Sequence, residues 1–283
     1  MSVQSFGMET IRVGRTGLAG YIGALWRYRH LMFHLASADL QSRFRRSTLG
    51  VLWAMVHPLA FALLYSLVLA NLFQQDFRAL SIYVFAGFIL WESLAGFANQ
   101  GAHAIINGTG YLKQAPIPMI LFPMRTSLTV LAVLLLGFCA LFLYRTGVIV
   151  AFKQPEPILT LSWLWVAPIF AMTFLMGTAW ATIVAFMNVK FRDTQQLLQI
   201  ALQALWFASP IFFPRELFNA PQLQLWSTIN PVVAFLDAFR DATLYDRAPE
   251  LKDWIVMGVA TAGSWAVAIV VTALNDRKSI HYV

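Results

Sequence analysis

The feature that most constrains this chain is the length of its apolar runs. Read between charged residues, six stretches stand out: 51–73, 80–100, 119–144, 158–187, 197–213 and 254–274. A helix crosses the hydrocarbon core with about 20 predominantly apolar residues. Inside that core every backbone N–H and C=O must find a partner within the protein, which helices achieve alone. No segment alternates like the shorter strands of a membrane barrel. The expectation is an all-α membrane protein, with a cytoplasmic N-terminal region over 1–50 and six transmembrane helices over 51–283. Composition agrees: 12% of the residues are charged, against about 25% in soluble domains. The fifth stretch is the shortest and is broken near its end by Pro210, and the second carries Glu92.

Orientation follows from the connecting segments. With the N-terminus inside, Lys and Arg divide twelve to seven in favour of the cytoplasmic side, and the bias is steepest before the first span. That is the positive-inside pattern, with both termini cytoplasmic. The net charge of +7 is thus an orientation signal, and no nucleic-acid partner is expected. The first apolar stretch, 18–35, is interrupted by Arg27, Arg29, His30 and His34, so it does not read as a cleavable signal. On a helical wheel Leu18, Ile22, Leu25 and Met32 share a face opposite Arg27, His30 and His34. This predicts an amphipathic helix in the cytoplasmic interface, with Trp26 and Tyr28 at headgroup depth. A surface helix packed on a soluble neighbour is the other reading.

Three non-spanning segments invite functional readings. Residues 39–50, DLQSRFRRSTLG, lead into the first span with Arg43, Arg45 and Arg46, which anchor topology and attract anionic headgroups. Residues 107–118, NGTGYLKQAPIP, combine loosening glycines, an apolar knob at Tyr111 and Leu112, and stops at Pro116 and Pro118. They read either as a docking loop or as an ordinary helix connection. Residues 221–245 are too apolar for a solvated loop and are cut by Asn230-Pro231 into halves too short to span. A re-entrant helical hairpin before the last span is expected there.

Chemistry inside the spans is sparse. Glu92 and Arg125 stand at similar depth in consecutive spans and are expected to form an ion pair. Aromatic residues are abundant, and Tyr65, Trp91 and Trp206 are candidates to line a path on which sugar rings slide. No phosphate loop, dinucleotide turn or Cys/His metal cluster is present, and the single cysteine, Cys139, has no partner. The chain is therefore not expected to be catalytic or to bind a metal or cofactor itself.

The order of motifs resembles the permease subunit of ABC-2-type polysaccharide exporters, which move O-antigen, capsule and teichoic acid chains. The likeness runs from about residue 39 to 274. It is carried by Asp39-Leu40, Arg43 and Arg45, by Leu49-Gly50-Val51-Leu52-Trp53 and Pro58, and by Asn107, Lys113, Pro118 and Pro123. Phe191-Arg192-Asp193, Ser209-Pro210-Ile211, Asn230-Pro231 and Phe239-Arg240 complete it. The resemblance implies a bacterial inner-membrane homodimer joined to two copies of a separate ATPase, which holds the ATP and magnesium. It implies a lipid-linked polysaccharide as cargo, and it leaves room for periplasmic export partners. It assigns ATPase coupling to the loop with Tyr111, Leu112 and Lys113, and the outer exit to the hairpin with Asn230, Pro231 and Arg240. Other readings are an ABC-2 exporter of small drugs or lipids, a proton-coupled secondary carrier relying on Glu92, and a membrane glycan-processing enzyme using Asp237, Asp241 and Asp246.

Overall fold

A computed structural model of the chain describes residues 23, 25–45, 47–112, 117–155, 157–191 and 193–275. No strand occurs among them. The helices are α1 (Arg29–Phe44), α2 (Trp53–Phe73), α3 (Phe77–Ala102), α4 (Ala104–Asn107), α5 (Thr109–Leu112), α6 (Leu121–Phe152), α7 (Val166–Lys190), α8 (Thr194–Phe207), α9 (Pro221–Ile229), α10 (Pro231–Thr243) and α11 (Leu251–Asn275). Single 3-10 turns, Gly50–Leu52 and Leu161–Trp165, lead into α2 and α7. Gly50 adopts a φ of 50°, a left-handed conformation that glycine enters without a Cβ clash, and it swings the chain from α1 into α2.

Five helices are long and apolar enough to cross a membrane: α2, α3, α6, α7 and α11. The expected fifth span is not among them. α8 has 14 residues, about 21 Å of rise, because Pro210 lacks an N–H and cannot continue a helix. The segment nevertheless runs antiparallel to α3 beyond the end of α8. Gln199 Nε2 donates to Asn99 Oδ1 at 3.0 Å, Trp206 stands edge-on to Trp91, and the Tyr83 hydroxyl donates to the Phe213 carbonyl at 3.2 Å. From the level of Asn99 to that of Tyr83 is about 24 Å along α3.

The third expected span also differs, continuing past Tyr144 to Phe152. Arg145, just past the expected end of that span, is buried, and its guanidinium donates to the carbonyls of Pro157 and Ile158. The chain after α6 folds back and supplies these acceptors, so the cation does not end the helix.

α3 is the hub, packed against α2, α6, α7, α8 and α10. Small residues let the backbones close in: a Cβ on Gly101 would overlap Ala181, and one on Gly177 would overlap the Phe97 ring. Asn188 Nδ2 donates to the Ala102 carbonyl at 2.8 Å between the C-terminal ends of α3 and α7. Close small-residue contacts plus an occasional interhelical hydrogen bond are how helices associate where lipid removes most of the hydrophobic drive. α2, by contrast, exposes Leu64, Leu67, Val68 and Leu72.

The segment expected as a hairpin is two short helices, α9 and α10, split at Asn230. The Asn230 Oδ1 accepts from the Val232 N–H, while its Nδ2 donates to the Ala208 carbonyl and to Ser209 Oγ. Pro231 occupies the first turn of α10, where its fixed φ costs nothing. α10 is buried over most of its length.

Candidate functional site

Tyr65, Trp91 and Trp206, chosen from sequence as candidate path residues, line one cavity of about 400 Å3. Three helices bring them together. The Trp91 and Trp206 rings meet edge to face at 5.7 Å, and Tyr65 stacks on Phe212 at 4.5 Å. Phe212 in turn lies 4.8 Å from Trp206, and Phe61 and Phe88 extend the aromatic surface along α2 and α3. The same cavity receives the carboxamides of Asn99, Gln199 and Gln203 and the carboxylate of Glu92. Flat apolar faces flanked by amides that both donate and accept suit a ligand with apolar ring faces and many hydroxyls. The carboxamides went unnoticed in the sequence. The signal was there: Gln195, Gln199 and Gln203 recur every four residues on a helix otherwise rich in Leu and Ala.

A second cavity, about 530 Å3, is lined by Arg43, Trp53, His57 and Glu92, with Ile89 and Val133. Glu92, Ala95 and Asn99 belong to both walls. Arg43 and His57 are the two basic residues nearest to Glu92, and no hydrogen bond or ion pair closes on its carboxylate among the described residues. The expected Glu92–Arg125 pair does not form. Arg125 is held instead by Asp39, Nε to Oδ2 and Nη2 to Oδ1, both at 2.6 Å. The physical reason is α1. This helix runs on to Phe44 and packs along α6, so its carboxylate reaches Arg125 in the bidentate geometry a guanidinium favours. Arg45 is exposed at the end of α1, and Arg46 lies outside the described residues.

Arg240, which the resemblance assigns to the hairpin before the last span, is 1% exposed. Its Nη1 donates to the Pro210 carbonyl at 2.6 Å, and its Nη2 to the carbonyls of Ile211 and Tyr83. The guanidinium also lies 3.5 Å over the Tyr83 ring. Pro210 ends α8, which frees carbonyls to receive the cation. Gly87 makes room, since a Cβ there would run into the guanidinium. Arg240 thus ties α10 to α3 and to the break after α8, with only its Nε unpartnered. Beyond it lies a charged cavity in which Arg215 pairs with Asp237 at 2.8 Å and Arg247 with Asp241 at 2.7 Å. Burial pushes the Asp241 carboxyl above the ordinary carboxylate range, against the pull of the Arg247 bond. Asp237, Asp241 and Asp246 do not converge as an acid–base set. The first two are in ion pairs, and Asp246 accepts a hydrogen bond from Thr160.

Past the C-terminal end of α3, Tyr111 and Leu112 form the last half of α5. Tyr111 is 41% exposed and tilts against Phe122. Leu112 packs on a cluster of Ala104, Ile117, Leu121 and Phe122 that also receives Leu25, Tyr28, Leu31 and Met32. The N-terminal segment and the 107–118 segment therefore share one apolar cluster. Leu18 and Ile22, the other residues of the expected amphipathic face, lie outside the described residues, as does Lys113.

The sequence matches the ABC-2 type transporter family over residues 30–244. It is similar to the O-antigen export system permease protein RfbA of Myxococcus xanthus, with 24% identity over 89% of this chain and 95% of that protein. It is also similar to the O-antigen export system permease protein RfbA of Klebsiella pneumoniae, 24% identical over 75% of this chain and 79% of that protein. The polysialic acid transport protein KpsM of Escherichia coli is 26% identical over 73% of this chain and 78% of that protein.

Proposed function

The chain belongs to the ABC-2 type transporter family of membrane proteins, and on that premise we propose that it is the transmembrane subunit of an ATP-driven polysaccharide exporter. Its cargo is a lipid-linked glycan taken from the cytoplasmic side of the bacterial inner membrane. The single observation that carries this reading is the shared cavity of Tyr65, Trp91 and Trp206 with its amide fringe. Its chemistry fits sugar rings, and the relatives bear names of O-antigen and polysialic acid transport.

Energy comes from a separate ATPase subunit that holds ATP and magnesium, two copies of which serve a homodimer of this chain. The exposed face of α2 is the surface on which a second copy would sit beside the path. Coupling runs through Tyr111, Leu112 and Lys113. The shared apolar cluster links that segment to the N-terminal helix, so a push on one is felt by the other. In the same reading the N-terminal helix lies in the cytoplasmic interface and α9–α10 form a re-entrant hairpin at the outer exit. α8 with its non-helical extension makes a sixth, broken crossing, antiparallel to α3, which keeps both termini in the cytoplasm. Irregular backbone is tolerated at that depth because it is buried in protein and its carbonyls are taken up by Arg240. Periplasmic partners would receive the chain at the outer cavity.

The test is made in cells deleted for this chain and supplied with the wild type or with Trp91→Ala plus Trp206→Ala. The wild type should restore surface glycan, and the double variant should insert normally yet leave lipid-linked glycan inside. Full export by the double variant would contradict the reading.

A further inference from the structure

The chain as a whole is strongly basic, with a formal net charge of +7, but the aromatic cavity is not. Its lining holds one ionisable acid, Glu92, and no Lys, Arg or His. Arg43 and His57, the basic residues nearest to that acid, line the neighbouring cavity. Phe88 and Phe212, both buried, back the Trp206 wall of the cavity with apolar rings. In the charged cavity beyond Arg240 the cations are already engaged: Arg215 by Asp237, Arg247 by Asp241, and Lys252 by Glu250. Arg240 is sealed against backbone carbonyls. Glu216 and Asp253 complete the lining there, with no cation paired to either among the described residues. Within the aromatic cavity, a carboxylate or phosphate on a sugar ring therefore meets an acid and no lining cation.

From this we infer that the path selects glycans without anionic groups and rejects polyanionic ones, with Glu92 as the specificity-determining residue at the aromatic cavity. The inference rests on the reading of that cavity as a glycan path, and it narrows the class of glycan. Neutral rings stack on Tyr65 and Trp206 and exchange hydrogen bonds with Asn99, Gln199 and Gln203. Each anionic ring brings a like charge near Glu92 in a region of low dielectric. Two like charges about 10 Å apart at an effective dielectric of about 20 repel strongly enough to weaken binding about tenfold.

The experiment uses the full chain in nanodiscs and two fluorescently end-labelled probes of equal length, a neutral malto-oligosaccharide and an oligogalacturonate with a carboxylate on every ring. Binding is measured for the wild type, Glu92→Gln and Trp206→Ala. The expected result is binding of the neutral probe at least about tenfold tighter by wild type, a gap that Glu92→Gln narrows, and weakened neutral binding by Trp206→Ala. Equal or tighter binding of the anionic probe, sensitive to Trp206→Ala, overturns the selectivity and leaves the glycan path standing. The same holds if Glu92→Gln leaves the ratio unchanged. If neither probe binds, or Trp206→Ala changes nothing, the glycan reading of the cavity falls and the inference falls with it.

Discussion

Two arginines at membrane depth show how this chain keeps a charge out of lipid. Arg240 has no carboxylate partner among the described residues. It spends its hydrogen bonds on carbonyls that a proline break left open, and Gly87 is the residue that lets it in. Gly87→Ala should force the guanidinium aside and cost about 1–3 kcal/mol, the usual range for overpacking a filled site. The check is the thermal unfolding midpoint in detergent, with Ala86→Gly as a neighbouring control; an unchanged midpoint would mean that the clamp does not matter. Arg125 follows the other strategy, a bidentate bond to Asp39 from a helix 86 residues away in sequence. Asp39→Ala should cost about 1–3 kcal/mol, because it strands a charge-assisted donor. Exchanging the two residues, Asp39→Arg with Arg125→Asp, should recover part of that loss. A swap no better than the single variant would argue against a direct pair. Neither partner was legible from sequence. Hydropathy reports depth along a span, so it put Glu92 and Arg125 at one level, but it carries no information on which way a helix turns or what packs alongside it.

At the scale of elements the punctuation was the most readable part. Asn230-Pro231 announced the split between α9 and α10, because a proline with no N–H and an asparagine able to cap leave the backbone little choice. The structure adds what that asparagine does at longer range: it caps α10 and at the same time ties the end of α8. Asn230→Asp keeps the capping oxygen and loses the two donated bonds, whereas Asn230→Ala loses both. Hydrogen exchange over 221–243 should therefore rise modestly in the first variant and more in the second, the cap alone being worth about 1 kcal/mol. Equal protection in all three proteins would contradict this double role. Lengths were read less well than breaks. The third span was expected to stop before Arg145, and Pro210 to break the fifth near its end. In the fold Arg145 is buried under a returning loop, and Pro210 ends only the helical part of a segment that continues along α3.

For the whole molecule, apolar runs and their flanking charges made an all-helical membrane protein legible, and the order of weak motifs pointed to its family. The gathering of Tyr65, Trp91 and Trp206 into one cavity required the structure, since it depends on α2, α3 and α8 meeting at one level. The central claim is that this cavity is worked from outside the chain, by an ATPase acting on the cluster that joins the N-terminal helix to Tyr111 and Leu112. The most direct measurement purifies the tagged chain from its native membrane in mild detergent and records what co-elutes and its ATPase activity. The account predicts a separate ATPase subunit near equimolar with this chain, and vanadate-sensitive hydrolysis that falls severalfold when Tyr111 and Leu112 are both changed to alanine. A chain that elutes without an ATPase in every mild detergent tried, or hydrolysis indifferent to the double substitution, would contradict it.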